Sequence, residues 1–264
     1  MTCATPGAPG PSWAGAASTL LAPLLDGPPR HVHEVARTRL SVHYATEDPS
    51  LPLLCVVSPE AIRLPAAVVT STLPGHGGLQ VGAGMLESTD ATWRITRWWR
   101  PPRPAGLEPP PHLTGARGVF GALRAAGDPA VLLPPSSYDG LDPATLLGRG
   151  PGLTPSGDDV LAAALVTAHA TSDPRLDVWR RRTRAALTAT ATTPVSHGLL
   201  HAALDGWCTP ELAAFLDAVC TPGMPGPALT LTVERLLEVG HSSGAALALG
   251  VLHTLTTRDL RGAA

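Results

Sequence analysis

The sequence predicts an α+β protein, with an amino-terminal antiparallel β barrel or sandwich and an all-helical carboxy-terminal domain built on two buried central helices. Three observations carry this. Between residues 31 and 98, short apolar runs alternate with polar residues at a period of two and are cut by turn signals. Residues 100–112 then hold six prolines, Pro101, Pro102, Pro104, Pro109, Pro110 and Pro111, which make a stiff connector. Beyond that connector the apolar period turns helical. Two stretches, 160–166 and 245–255, are apolar nearly all the way round, the pattern of helices buried on every side.

Taken in order, residues 1–17 are Pro, Gly, Ala and Ser for the most part and read as a disordered tail. A β-rich domain spans 18–100, opening with a short helix over 18–25 ahead of Pro28-Pro29. Leu40, Val42 and Tyr44 alternate with Arg39, Ser41 and His43, as in a half-buried strand. Further strands are expected at 53–57, 66–70, 79–86 and 92–98, separated by Glu47-Asp48-Pro49, the Gly-rich run 74–78 and Ser88-Thr89-Asp90. His31, His33 and His43 lack a nearby acidic partner and are expected to face solvent rather than to bind metal.

The linker is placed at 101–112 and the helical domain at 113–264. Its helices are expected at 113–126, across the central motif to 170, at 175–190, 198–204, from Thr209-Pro210-Glu211 onward, at 229–239 and at 245–255; 131–133 is a short strand or an extended link. In 175–190, Leu176, Trp179, Thr183, Ala186 and Leu187 share one face while Arg180, Arg181, Arg182 and Arg184 crowd the other, a solvated basic face. Gly240 ends the 229–239 helix at a left-handed position.

Composition excludes several functions. A chain of 264 residues can bury a substantial core. Its formal net charge of −2 argues against nucleic-acid binding. Every one of its 19 basic residues is Arg, which rules out a Lys nucleophile, a Schiff base and a Walker-type lysine. The four cysteines, Cys3, Cys55, Cys208 and Cys220, form no CxxC pair and no zinc spacing, and read as small buried hydrophobes. With no secretory leader and no membrane-length apolar run, the expected location is the cytoplasm.

The chemistry concentrates in the run from Gly148 to Asp159, a loop of Gly, Pro, Thr and Ser that opens into a buried helix. Thr154 or Ser156 is placed to cap the first turn, and Pro155 suits its first position. Such a mouth is either an anion seat, formed by the amides around Gly152, Ser156 and Gly157 with the Thr154 and Ser156 hydroxyls, or a plain capped helix whose dipole Asp158 and Asp159 complement. The theme returns twice. Thr192-Thr193-Pro194-Val195-Ser196-His197 precedes one helix, and Gly240-His241-Ser242-Ser243-Gly244 precedes the other buried one. Ser156-Gly157 and Ser243-Gly244 are read as equivalent, with the two helix mouths turned toward a shared cavity.

With these motifs in view, the chain resembles a bacterial family whose recognisable member is the AllH-type subunit of oxamate carbamoyltransferase, from allantoin and purine degradation. The hallmark Gly-Pro-Gly-Leu-Thr-Pro-Ser-Gly-Asp-Asp stands at 150–159 without a mismatch; 193–206 and 240–250 carry the weaker matches. The family tends to carry Asp two residues after the second Ser-Gly, where this chain has Ala246, and an apolar residue where it has Arg149. The resemblance implies a subunit of a three-part enzyme that exchanges a carbamoyl group between oxalurate and phosphate. One of its other subunits would resemble an acyl-CoA synthetase.

The roles that follow are substrate binding by Gly152, Thr154, Ser156, Gly157, Thr193, Ser196, Ser242, Ser243 and Gly244, and catalysis by Asp158, Asp159 and His241, with His197 as second proton carrier. Asp158 and Asp159 are also the candidates to hold Mg²⁺ between anions, the one cofactor that enters. His169, His201 and His253, inside helices, are expected to pack or to face solvent. A different class stays open beside the enzyme subunit: a non-catalytic anion-binding or scaffolding protein with a degenerate site, which Ala246 favours. A stand-alone Asp-Asp metallohydrolase is weaker, because no third ligand sits at the right spacing.

Overall fold

The computed structural model describes residues 10–110, 141–224 and 226–262. The expected helix at 113–126, the link at 131–133 and Cys3 lie outside the described residues. The chain divides into two compact units, Met1–Arg100 and Pro101–Ala264.

The first unit is a closed eight-stranded barrel of β1 (Ser12–Ser18), β2 (Arg30–Arg37), β3 (Ser41–Ala45), β4 (Leu53–Val57), β5 (Ala67–Thr70), β6 (Leu79–Gly82), β7 (Met85–Glu87) and β8 (Thr92–Trp99), in the order β1-β5-β4-β3-β2-β6-β7-β8. Val32, Val42, Tyr44, Leu54, Val56, Val68, Leu79, Val81, Leu86 and Trp93 fill its core. Leu21, Leu24 and Leu25, from a 3-10 turn and the short helix α1 (Ala22–Leu25), pack into the same cluster.

Three expectations need correction here. The barrel is mixed rather than antiparallel, since β1 pairs parallel to β8 and β4 parallel to β5. Strand spacing reports how many strands there are and says nothing of crossovers. Residues 12–17, expected to be a disordered tail, form most of β1. Their small side chains look like low complexity, but Gly15, Ala17 and Ser18 are buried in the barrel and Trp13 stacks on Trp93 with ring centroids 5.5 Å apart. The run 79–86 is two strands, because Ala83 and Gly84 take positive φ and make a two-residue hairpin turn.

His43 departs from expectation too. His31 and His33 are exposed, but His43 is buried between Ser41, 2.9 Å from its Nε2, and Cys55, 3.3 Å from its Nδ1. Burial pushes its pKa down to about 4 and holds it neutral. Alternation reads polarity, and polar groups that satisfy one another can be buried without showing it.

The second unit is helical: α2 (Pro143–Leu146), α3 (Ser156–Ala170), α4 (Leu176–Ala186), α5 (Pro194–Leu204), α6 (Pro210–Cys220), α7 (Gly226–Leu237) and α8 (Ser243–Gly262). In α3 all but Ala162 and His169 are buried, and α8 buries Ala245 to Ala248, Val251, Leu252, Thr254, Leu255 and Thr257. These two helices pack most extensively on each other. They run in the same direction. Ser156 and Ser242 touch at one end, Gly250 lies against Val160 and Ala163 further along, and past the end of α3 Arg175 reaches the Thr254 carbonyl at 2.8 Å. Among the described residues no helix is long and apolar enough to cross a membrane.

Candidate functional site

Because α3 and α8 run parallel, their amino ends lie side by side. The polar segments that precede them are therefore brought together. Thr154 Oγ1 lies 2.9 Å from Ser243 Oγ, and Ser156 Oγ lies 3.3 Å from Ser242 Oγ. This corrects the capping expectation. Pro155 is the N-cap of α3, no side chain caps that helix, and both hydroxyls reach across to α8 instead. The segment ahead of α5 joins from the other side, where the Thr193 hydroxyl donates to the Leu153 carbonyl at 2.5 Å.

Thr193 is also the N-cap of α5, accepting from the Ser196 N–H at 3.1 Å. Thr193→Val keeps the shape and removes both bonds. It is expected to cost about 1 kcal/mol, read as a lower midpoint in urea unfolding. An unchanged midpoint would mean that the cap contributes nothing.

The neighbouring carboxylates are used differently. Asp158 is fully engaged: Oδ1 accepts the Gly148 N–H at 2.9 Å and Oδ2 accepts the Thr192 hydroxyl. It laces the loop before α3 to the loop before α5. Burial raises its pKa, and the donors Thr192, Gly148 and Ser196 oppose that rise. Asp159 is 7% exposed, the nearby Ser243 hydroxyl draws its pKa down, and its Oδ2 has no hydrogen-bond partner. Burial, with the charge of Asp158 beside it, pushes its pKa up to about 7 against that pull.

The glycines explain how the mouths are built. A Cβ on Gly157 would stand 2.1 Å from the Leu146 carbonyl oxygen, and one on Gly244 would stand 1.9 Å from that of Leu236. In both motifs the residue after Ser is where an earlier helix presses its backbone against the new one. Gly157 N–H donates to the Arg149 carbonyl at 2.9 Å, so it is engaged within the loop and is not a free amide of an anion seat. Gly152 is exposed with φ +96° and open space around its Cα.

His241 is exposed, one residue ahead of Ser242, and takes no part in the hydrogen-bonded cluster. His197 is half-buried on α5, with its pKa lowered by burial and by His201. Among the described residues no group of three or more His, Cys, Asp or Glu stands together, and both oxygens of Asp158 are already committed. Only the bare oxygen of Asp159 remains to the magnesium reading. Gly148 and Thr192, the partners of Asp158, were not singled out from sequence, although the doubled hydroxyl of Thr192-Thr193 was their one visible trace.

Residues 146–255 match the family model for oxamate carbamoyltransferase subunit AllH. The chain resembles that subunit. The match begins at Leu146, against Gly157, and ends at Leu255 in α8, so it takes in all three segments that meet at the mouth of α3. No solved structure matches the chain.

Proposed function

We propose that this chain is one subunit of an oxamate carbamoyltransferase-like complex, and that the adjoining mouths of α3 and α8 hold an anionic carbamoyl substrate. The supporting observation is the meeting of three hydroxyl-bearing segments at the mouth of α3, where the buried Asp159 keeps one unpartnered oxygen, inside the part of the chain that matches AllH.

In the reaction this reading implies, a phosphate oxygen bonds to the carbamoyl carbon of oxalurate. The bond from that carbon to the oxamate nitrogen breaks, and the nitrogen takes up a proton, leaving oxamate and carbamoyl phosphate. Such a transfer needs no covalent intermediate; it needs positioning and stabilisation of negative charge. Two parallel helix dipoles favour an anion at their shared end, and the hydroxyls of Thr154, Ser156, Ser242 and Ser243 rotate to suit its oxygens. His241, exposed at the same end, is the proton carrier for the leaving nitrogen. The remaining subunits, one of them acyl-CoA-synthetase-like, supply what this chain lacks, and the assembly works in the cytoplasm on purine-derived oxalurate.

The test has two arms. Affinity purification from the native host is expected to return stoichiometric partners, one of them synthetase-like. Carbamoyl phosphate, oxalurate or phosphate at 100 times its dissociation constant is expected to stabilise the chain by about 2.7 kcal/mol. A solitary chain that no anion stabilises would overturn the proposal. A second reading, a non-catalytic anion-binding protein, draws on Ala246, which is buried in α8 at the position where the resemblance leads one to expect Asp. It predicts the same stabilisation without turnover in the reconstituted complex.

A further inference from the structure

Three features lie outside the roles given so far: the cavity of about 280 Å³ between Trp13, Trp93 and the 75–78 loop; the buried Ser41–His43–Cys55 cluster; and the bare oxygen of Asp159. The third carries furthest.

We infer that Asp159 Oδ2 is the specificity element of the site, the acceptor for the amide N–H of a carbamoyl group. This rests on the anion-site reading above and names what that site distinguishes. The Ser243 hydroxyl lies 2.9 Å from that of Thr154 and is close enough to the Asp159 carboxyl to lower its pKa. Neither hydroxyl bonds Asp159 Oδ2, which is buried and left without a partner. A buried acceptor without a partner marks the place of a donor from outside.

The surroundings restrict what that donor is. Two helix amino ends and four hydroxyls favour negative charge, while Oδ2, once Asp159 has lost its proton, repels it and asks for a donor. A bare phosphate satisfies the first demand and violates the second. A cation satisfies the second, but Asp158 has no oxygen to add. A small anion that carries its own –NH₂ meets both. Carbamoyl phosphate and oxalurate are of that class. Acetyl phosphate, the same shape with a methyl group in place of –NH₂, is not, and a site built around a hydrogen bond discriminates strongly against the analogue that lacks it.

The experiment is calorimetric titration at pH 8, where Asp159 has released its proton, of the full chain, with any partner subunits recovered alongside it, by carbamoyl phosphate, acetyl phosphate and inorganic phosphate. Wild type is expected to bind carbamoyl phosphate at least tenfold more tightly than acetyl phosphate. Asp159→Ala is expected to bring the two within twofold while leaving inorganic phosphate bound at least as well. Asp159→Asn, whose amide oxygen still accepts, keeps part of the preference and guards against misfolding of the alanine variant. Equal binding of the two acyl phosphates by wild type, or a preference that survives Asp159→Ala, overturns the inference and leaves the anion site standing. Wild type that binds none of the three overturns the anion site, and this inference with it.

Discussion

Asp159→Asn is expected to raise the melting temperature of the helical unit at pH 8 and to leave it nearly unchanged at pH 4. In the folded chain this carboxyl holds its proton up to about pH 7, against an ordinary value of 3.8. Between those two values the folded state binds more protons than the unfolded one, so stability falls as pH rises through the window. Above pH 7 the full cost of a buried, half-satisfied carboxylate is present, on the order of 4 kcal/mol. For a unit of this size that is roughly 8–16 °C. Asparagine fills the same space without the charge. Helical circular dichroism melts of both proteins across pH 4–8 check this: the gap between the variant and the wild type should open as pH rises, while the groups they share, Asp158 (raised) and His169, His197 and His253 (lowered), bend both curves alike. Parallel curves would show that Asp159 carries no such strain. A residue whose removal stabilises the fold is kept for another reason, and ligand binding is the usual one.

Gly250→Ala and Gly244→Ala are expected to damage the helical unit about as much as Asp159→Asn strengthens it at high pH. A Cβ at position 250 would stand 2.3 Å from the Val160 carbonyl oxygen and 2.8 Å from the Ala163 Cβ. At 244 it would stand 1.9 Å from the Leu236 carbonyl oxygen. These neighbours are backbone or rigid, so α3 and α8, or α7 and α8, must separate. Overpacking of this kind costs about 3 kcal/mol, a fall of roughly 6–12 °C. Gly75→Ala, in the barrel with open space around it, is the control and should leave the melt unchanged. If the two helical variants melt like the control, the close approach of α3 and α8 is not what holds their mouths together.

Much of this was legible before any coordinates. Residues 53–57 read as a strand and are one, because a β-branched apolar run between turn residues has few alternatives. The Thr209-Pro210 and Gly240 signals mark real helix ends, since capping and left-handed glycine act locally. What failed was non-local. Nothing in Ser12–Ser18 says that β1 closes a barrel against β8, and nothing in His43 announces Cys55. At the site the sequence picks out Thr154, Ser156, Thr193, Ser242 and Ser243. Their pairing depends on the parallel direction of α3 and α8, which no single segment encodes. The difference between Asp158 and Asp159 is of the same kind. Adjacent and chemically identical, they part only because Gly148 and Thr192 come to one and not to the other.

The closure of the barrel constrains any protein that meets it. Each of the eight strands has a neighbour on both sides, so the unit exposes no row of unpaired amides and carbonyls. Among the described residues this barrel therefore offers no open sheet edge for recognition by strand addition. A protein docking on it must read side chains, and β8 offers Arg94, Arg97 and the 43% exposed Trp98.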